Sequence, residues 1–113
     1  MLDDLASVTL STALDAVATQ QRVTANNISN IETPNYKAVS VSFEDSLRDA
    51  VASGDPSQAL VTQTASDGPV SANGNNVSLD TETVNAEKET LQYQLLSSAM
   101  SAKFNLLDTV IKG

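Results

Sequence analysis

Residues 25–38 read ANNISNIETPNYKA, a polar stretch that ends one helical pattern and precedes a strand pattern. Pro34 presets φ to about −65° at the second position of a β-turn over residues 33–36, and a type II turn then needs a positive φ at its third position. Asparagine tolerates that conformation better than other residues with a side chain. We therefore predict a positive φ at Asn35 and a bend between helix and strand, not an active site.

The asparagines beside this turn have two possible roles. They could end the helix, because asparagine side chains compete for backbone hydrogen bonds. They could instead bind the backbone of a neighbouring chain, and the sequence alone leaves both roles open. The candidate site at the turn comprises Asn26, Asn27, Asn30, Thr33, Pro34, Asn35, Tyr36 and Lys37.

Two adjacent rows of apolar and small residues recur at steps of three and four from residue 2 to residue 30. This heptad-like spacing predicts one long helix, which forms most of an N-terminal unit at residues 1–32. No Gly or Pro interrupts it. Asp3 and Asp4 fall in the predicted first turn, where carboxylates interact favourably with the helix dipole.

The middle unit, residues 33–78, begins with a strand pattern. Val39, Val41 and Phe43 alternate with serines, which is typical of a short strand with one buried face. The last two residues of this pattern and the two that follow, SFED at 42–45, resemble a capping box and predict that a short helix follows.

A loop-rich stretch separates this short helix from the last unit. Residues 53–76 are rich in Gly, Ser, Asn, Asp and Pro, and only residues 59–64 have a weakly extended pattern. Residues 79–113 are again helical by their spacing, with Ser78 or Asp80 as the N-cap. The sequence thus predicts one subunit of mainly α fold, in which long terminal helices pair as an α-helical hairpin or coiled coil.

The last helix carries two adjacent apolar rows, a wider face than a two-stranded seam requires. This face could be an intramolecular core, or it could be shared between subunits. The N-terminal helix offers mainly Ala, Thr and Gln against it, so we expect both roles. The predicted subunit interface comprises Leu91, Tyr93, Leu95, Leu96, Met100, Phe104, Leu107 and Ile111.

The composition disfavours several classes of function. The chain has 113 residues, a formal net charge of −8, and no Cys, His or Trp. Thiol and imidazole chemistry and the usual zinc ligands are missing, and the negative charge disfavours nucleic acid as a partner. We predict no membrane span, no cleaved signal peptide, and no catalytic, cofactor or metal site. Glu44 with Asp45, and Glu87 with Glu89, are expected on solvated faces.

Both ends of the chain resemble one protein family. Residues 20–38, QQRVTANNISNIETPNYKA, resemble the N-terminal signature of the bacterial flagellar rod, hook and hook-filament-junction proteins. In that signature Asn-x-x-Thr-Pro-Gly-Tyr-Lys follows an Ala-Asn-Asn-Ile-like stretch, and Asn35 stands here in place of the glycine. Residues 74–113, GNNVSLDTETVNAEKETLQYQLLSSAMSAKFNLLDTVIKG, resemble the closing helix of the proximal rod members. Residues 49–73 contribute nothing to the resemblance.

The resemblance implies a structural subunit of the bacterial flagellum basal body that is required for motility. It implies export of the unfolded chain by the flagellar type III apparatus and assembly into the periplasmic rod through the terminal helices. The implied partners are copies of the chain, other flagellar rod proteins, the flagellar export gate and rod-adaptor proteins. The subunit would connect the export gate and membrane ring to the rest of the axial structure.

A second class of function is compatible with the composition. Small acidic α-helical proteins also include soluble adaptors and secretion chaperones. Long helices at both ends of a loop-rich middle favour the structural subunit over these alternatives.

Overall fold

Two long helices dominate the fold. A computed structural model describes residues 4–112, without the side chains of Leu107 and Lys112. The elements in chain order are α1 (Leu5–Ser29), β1 (Val39–Ser42), α2 (Glu44–Ala52), a 3₁₀ turn (Pro56–Gln58), β2 (Thr62–Ala65) and α3 (Leu79–Lys112). The molecule measures 64 × 26 × 14 Å, because the 34 residues of α3 extend for about 50 Å. The predicted mainly α fold is confirmed.

Helices α1 and α3 pack against each other in antiparallel orientation. Near the end of α1, Asn27 Nδ2 donates a hydrogen bond of 2.9 Å to Glu82 Oε1 in the first turn of α3. One turn earlier in α1, Thr24 Oγ1 donates a bond of 3.0 Å to Glu89 Oε2. The predicted pairing of the terminal helices as a hairpin is therefore confirmed, and its described cross-helix hydrogen bonds use polar side chains.

Asp4 caps the start of α1. Its backbone is extended, with φ −68° and ψ 166°, and its Oδ1 accepts a bond of 2.8 Å from Ser7 N. The expectation that Asp4 lies in the first turn is thus wrong, while Asp3 lies outside the described residues. Lys103 of α3 forms an ion pair of 2.8 Å with Asp4. The bonds from Lys103 and Ser7 lower the pKa of Asp4 to about 2.

A small core forms where α1, α3 and the end of β1 meet. Its buried members are Ala13, Ala16, Val17 and Phe43, and Leu47 and Leu96 pack against them. Small side chains on α1 allow close approach of neighbouring elements, and the ring of Phe43 fills the space at the end of β1. Only a few apolar side chains are therefore buried within the chain.

The predicted strand is present, and it has a partner that the sequence did not reveal. β1 pairs with β2 in antiparallel register, from Val39 opposite Ala65 to Ser42 opposite Thr62. β2 lies in the stretch predicted as a loop with weak extension at residues 59–64, so that prediction is corrected. All four residues of β2 are exposed, so no alternation of buried and exposed residues marks this strand in the sequence.

The predicted capping box of α2 is wrong. Phe43, not Ser42, occupies the N-cap, and no side chain caps the helix there. Ser42 instead belongs to β1, where it pairs with Thr62. The Glu44 carboxylate accepts a bond of 3.1 Å from Phe43 N, so a glutamate still satisfies the N-cap amide, but from the adjacent position.

Helix α3 begins and ends close to the predicted bounds. Ser78 Oγ accepts a bond of 3.3 Å from Thr81 N, which makes Ser78 the capping residue. Asp80 lies in the first turn. Because both the cap and the apolar spacing are local properties, this helix was readable from the sequence.

Candidate assembly site

The polar turn after α1 has the predicted geometry. Asn35 has a φ of 63° and is the only residue other than glycine with positive φ among residues 4–112. Tyr36 N donates to Thr33 O at 3.3 Å, which closes the turn around Pro34. Helix α1 ends at Ser29, before this turn. The predicted positive φ and the predicted interruption of the helix are both confirmed.

The segment before α3 docks on this turn. Asn75 Nδ2 donates to Asn30 O and to Thr33 O, at 2.8 Å each. Gly74 lies so close that a Cβ placed on it would be 2.2 Å from Asn35 Oδ1, and its φ is +82°. Only glycine fits both requirements. The two stretches that resemble the rod family are thus in direct contact, which their separate patterns did not predict.

Two more hydrogen bonds tie the docked segment to the start of the sheet. Asn76 Oδ1 accepts from Ala38 N at 2.6 Å, and its Nδ2 donates to Ser66 O at 3.1 Å. The side chain of Asn76 therefore bridges two opposing strands just beyond their last paired residues. Lys37 Nζ donates to Gly74 O at 2.5 Å, which adds a fixed charge to the same contact.

Asn27 is the most completely bonded side chain of the site. Its Nδ2 donates to Val39 O at 2.8 Å and to Glu82 Oε1 at 2.9 Å. Its Oδ1 accepts from Val39 N at 3.0 Å and from Tyr36 Oη at 3.1 Å. The residue is 1% exposed. A single amide therefore joins α1, β1, the turn and α3 without leaving a buried polar atom unpaired.

Asn26 and Asn30 have the more local roles. Asn30 follows the last residue of α1, and its backbone N–H bonds to Asn26 O and Asn27 O. Asn26 Nδ2 donates to Tyr36 Oη at 3.1 Å. Of the two roles left open by the sequence, ending the helix describes Asn30. Asn27 does bind a backbone, but it is the backbone of its own chain.

Over residues 82–91, helix α3 turns polar side chains toward α1 and its large apolar side chains away from it, and Leu96 is an apolar residue on the α1 side. Glu82 and Glu89 are buried, with 4% and 8% exposure. The opposite side carries a set that we call the outer stripe. It comprises Val84, Leu91, Leu95, Leu106 and Val110, which are 61% to 71% exposed. The eleven-residue spacing of Val84, Leu95 and Leu106 is close to three helical turns, so these residues stay on one side.

The predicted interface residues differ in solvent exposure. Leu91, Tyr93, Leu95, Phe104 and Ile111 are exposed. Leu96 and Met100 are half-buried, and Leu96 packs against the intramolecular core. The side chain of Leu107 lies outside the described residues. The eleven-residue spacing is the signal that would have added Val84 and Leu106 to the predicted set.

Glu89 departs most from the expectation of a solvated face. Burial raises the pKa of Glu89, and the negative charge of Glu82 acts in the same direction. The bond from Thr24 and the charge of Lys88 oppose this increase. Glu82, Glu89 and Leu96 recur every seven residues, which places them on one side of the helix. That heptad row could have revealed the burial of Glu89.

The other acidic side chains are arranged as a solvated surface. Glu44, Asp45 and Glu87 are exposed. Within residues 4–112, no cluster of three or more acidic side chains could hold a metal ion. None of the helices in this described range has both the length and the apolar character to cross a membrane.

Comparison with known proteins gives one consistent likeness. A family model described as flagella basal body rod protein matches residues 9–37. The flagellar basal body rod protein FlgB of Bacillus subtilis is 36% identical, across 92% of this chain and 91% of its own length. FlgB of Escherichia coli is 32% identical, across 89% and 88%, and FlgB of Borreliella burgdorferi is 27% identical, across 88% and 90%. The likeness therefore spans nearly the whole of each relative.

The turn yields a prediction at Asn35. Asn35→Gly should change the free energy of unfolding by less than about 0.5 kcal/mol, because glycine adopts positive φ without strain. Asn35→Val should destabilise the chain by about 1–3 kcal/mol, because a β-branched residue is strained there. Urea unfolding followed by circular dichroism measures both. Equal stability of the two variants would show that backbone strain at residue 35 is unimportant.

Asn27 yields a second prediction, with Asn26 as its matched control. Asn27→Ala leaves Val39 and Glu82 with unpaired buried polar groups, and should cost about 2–4 kcal/mol of unfolding free energy. Asn26→Ala removes one exposed bond to Tyr36 and should cost less than about 1 kcal/mol. The same urea unfolding measurement compares them. A similar loss in both variants would contradict the central role of Asn27.

Proposed function

The chain belongs to the flagellar basal body rod protein family, and from this premise we propose how it assembles. It is a structural subunit of the flagellar proximal rod and not an enzyme. We propose that the outer stripe of α3 is the surface by which it joins copies of itself and other rod subunits. The adaptor or chaperone considered as an alternative has no support among its relatives.

The observation that carries this proposal is the reversed polarity of the first part of α3, over residues 82–91. A surface helix normally turns its apolar side chains toward the core of its own chain. Here the side toward α1 holds Glu82 and Glu89, while Leu91 and Leu95 on the opposite side are mostly exposed. Burial of apolar surface is worth about 25 cal/mol per Å². A neighbouring subunit that covers this stripe therefore supplies the apolar burial that the single chain lacks.

The end of α3 carries exposed apolar residues on a different side from the outer stripe, because Phe104 lies two eleven-residue spacings beyond Glu82 and Ile111 lies two beyond Glu89. Lys103 pairs with Asp4 at the start of α1, and α3 continues to Lys112. Phe104 and Ile111 in this last part are 43% and 83% exposed. These exposed apolar residues beyond the start of α1 fit contact with a subunit placed along the rod axis.

The bonded turn gives the subunit a defined shape for assembly. Asn27 fixes β1 against both helices, and the contact of Asn75 with Thr33 holds the turn. We propose that these residues set the angle between the helical hairpin and the sheet. Neighbouring subunits would then meet surfaces with fixed relative positions.

Further partners and the route of export follow from family membership alone. We propose that the chain is exported by the flagellar type III apparatus and contacts the export gate and rod-adaptor proteins. Residence in the periplasmic rod fits the elongated shape, because a rod wall requires long subunits packed side by side. A basal-body preparation probed for this chain tests residence, and secretion in an export-deficient strain tests the route.

Leu95 provides the sharpest test of the proposed surface. Leu95→Asp places a carboxylate in the outer stripe, where burial of an unpaired charge costs several kcal/mol. We expect the variant chain to be exported but absent from purified basal bodies, and the cells not to swim. Leu95 is 71% exposed in the single chain, so its helical signal should be unchanged.

Leu60→Asp is the matched control for this experiment. Leu60 is 69% exposed but lies between the 3₁₀ turn and β2, away from α3. The control should swim and should be present in basal bodies. Normal swimming of Leu95→Asp, or equal loss in both variants, would show that the outer stripe is not the assembly surface.

A further inference from the structure

A polar cleft of about 210 Å³ lies between α1, α3 and β1. It is separate from the outer stripe, because it opens on the side of α3 that faces α1. Its polar lining includes Gln20, Thr24, Ser40, Glu44, Glu89 and Gln92. The cleft is large enough for a side chain with a planar polar end.

Two oxygens in the side chains that line this cleft have no hydrogen-bond partner. They are Gln20 Oε1 and Glu89 Oε1, and both are buried. The other carboxylate oxygen of Glu89 accepts from Thr24. A buried acceptor without a donor is destabilising. Two such acceptors on facing helices gain hydrogen bonds from any donor that enters the cleft, whether a water molecule or a side chain of another molecule.

The backbone of β1 adds a third acceptor. Ser66 N donates to Ala38 O. Every second residue after Ala38 in β1, which means Ser40 and Ser42, therefore directs its backbone N–H and C=O groups toward β2. By the alternation of an antiparallel ladder, Val39 and Val41 direct theirs to the opposite edge. Asn27 takes both groups of Val39, whereas Val41 lines the cleft. The backbone N–H and carbonyl of Val41 thus point to the edge of β1 that lies away from β2, and Val41 is part of the cleft wall.

We propose that this cleft is a socket for an arginine side chain presented by a neighbouring rod subunit. The proposal rests on the proposed function, since it needs a neighbour. A guanidinium group carries five N–H donors in one plane and a permanent positive charge. Its several donors suit a cleft whose acceptors are Gln20 Oε1, Glu89 Oε1 and the Val41 carbonyl. The net charge of −8 favours a basic partner at long range.

The chain itself does not fill the socket. Lys88 forms part of the cleft wall, yet Glu89 Oε1 remains unpartnered. A lysine ammonium is also a compact point charge, which cannot span acceptors on α1, α3 and β1 as a planar fork can. An internal alternative is a proton on Glu89 that donates to Gln20. Under that alternative, Glu89→Gln should leave incorporation into basal bodies unchanged, whereas the arginine socket predicts that incorporation falls.

Glu89→Gln tests the socket because it removes the charge and keeps the shape. Without a buried charge the purified chain should be at least as stable, so its urea midpoint should not fall. Incorporation into basal bodies should nevertheless fall about tenfold or more, the loss expected for a charge-assisted bond. If a proton on Glu89 completed the cleft, glutamine would replace the donor and incorporation would be unchanged. Unchanged incorporation would therefore overturn the proposal.

Two further variants make the outcome decisive. Glu32→Gln makes the same charge change at an exposed side chain in the turn and should incorporate normally; a comparable loss there would overturn the proposal. Gln20→Glu adds a second carboxylate to the socket, so the purified chain should be less stable while incorporation stays within about twofold. If Glu89→Gln lowers both stability and incorporation, Gln20→Glu decides. If Gln20→Glu is still incorporated into basal bodies, the socket is supported. If Gln20→Glu is no longer incorporated, the socket is contradicted.

These results separate the socket from the proposed function. If Glu32→Gln is found in basal bodies and Leu95→Asp is not, the outer stripe is an assembly surface. That conclusion does not depend on the result for Glu89→Gln. If Leu95→Asp assembles normally, the proposed surface is wrong, while the response to Glu89→Gln still tests the cleft.

Discussion

The four hydrogen bonds of Asn27 are the constraint on which the rest of the structure depends. Asn27 Oδ1 and Nδ2 hold both backbone groups of Val39, and the remaining capacity goes to Tyr36 and Glu82. Aspartate could not donate to Glu82, and glutamine would displace the amide by one methylene. Because Asn27 is only 1% exposed, loss of any of these bonds would leave a buried polar group unpaired. The amide therefore fixes the sheet, the turn and the helical hairpin in one arrangement.

This arrangement explains why the apolar surface of α3 faces outward. The helix side toward α1 is committed to Glu82 and Glu89, which satisfy Asn27 and Thr24. Val84, Leu91 and Leu95 then lie on the other side of the helix, where they are exposed, since a helix places residues three, four, seven and eleven positions apart on one face. A chain folded in this way keeps its subunit shape by polar contacts and offers apolar contacts to others. Such a division suits a subunit whose core is completed by assembly.

Local constraints were readable from the sequence, and tertiary partners were not. The bounds of α3 and the positive φ of Asn35 follow from spacing, capping and proline, which act within a few residues. The strand at β2 and the docking of Asn75 depend on contacts with residues far away in the chain. Glu89 lies in a stretch of charged and polar residues that is typical of a solvent-exposed helix surface. Only its spacing of seven residues from Leu96 indicates that it lies on the buried side of α3. The predicted capping box is absent because Ser42 belongs to β1, where it pairs with Thr62, and so it is not the N-cap of α2.

Amide hydrogen exchange at β1 tests the central claim most directly. Val39 and Val41 belong to the same strand, and both direct their N–H groups away from β2, but only Val39 is bonded to Asn27. In the purified chain, the amide of Val39 should exchange at least about tenfold more slowly than that of Val41, the effect of one net hydrogen bond. Equal or faster exchange at Val39 would show that Asn27 does not hold β1, and the account built on it would be wrong.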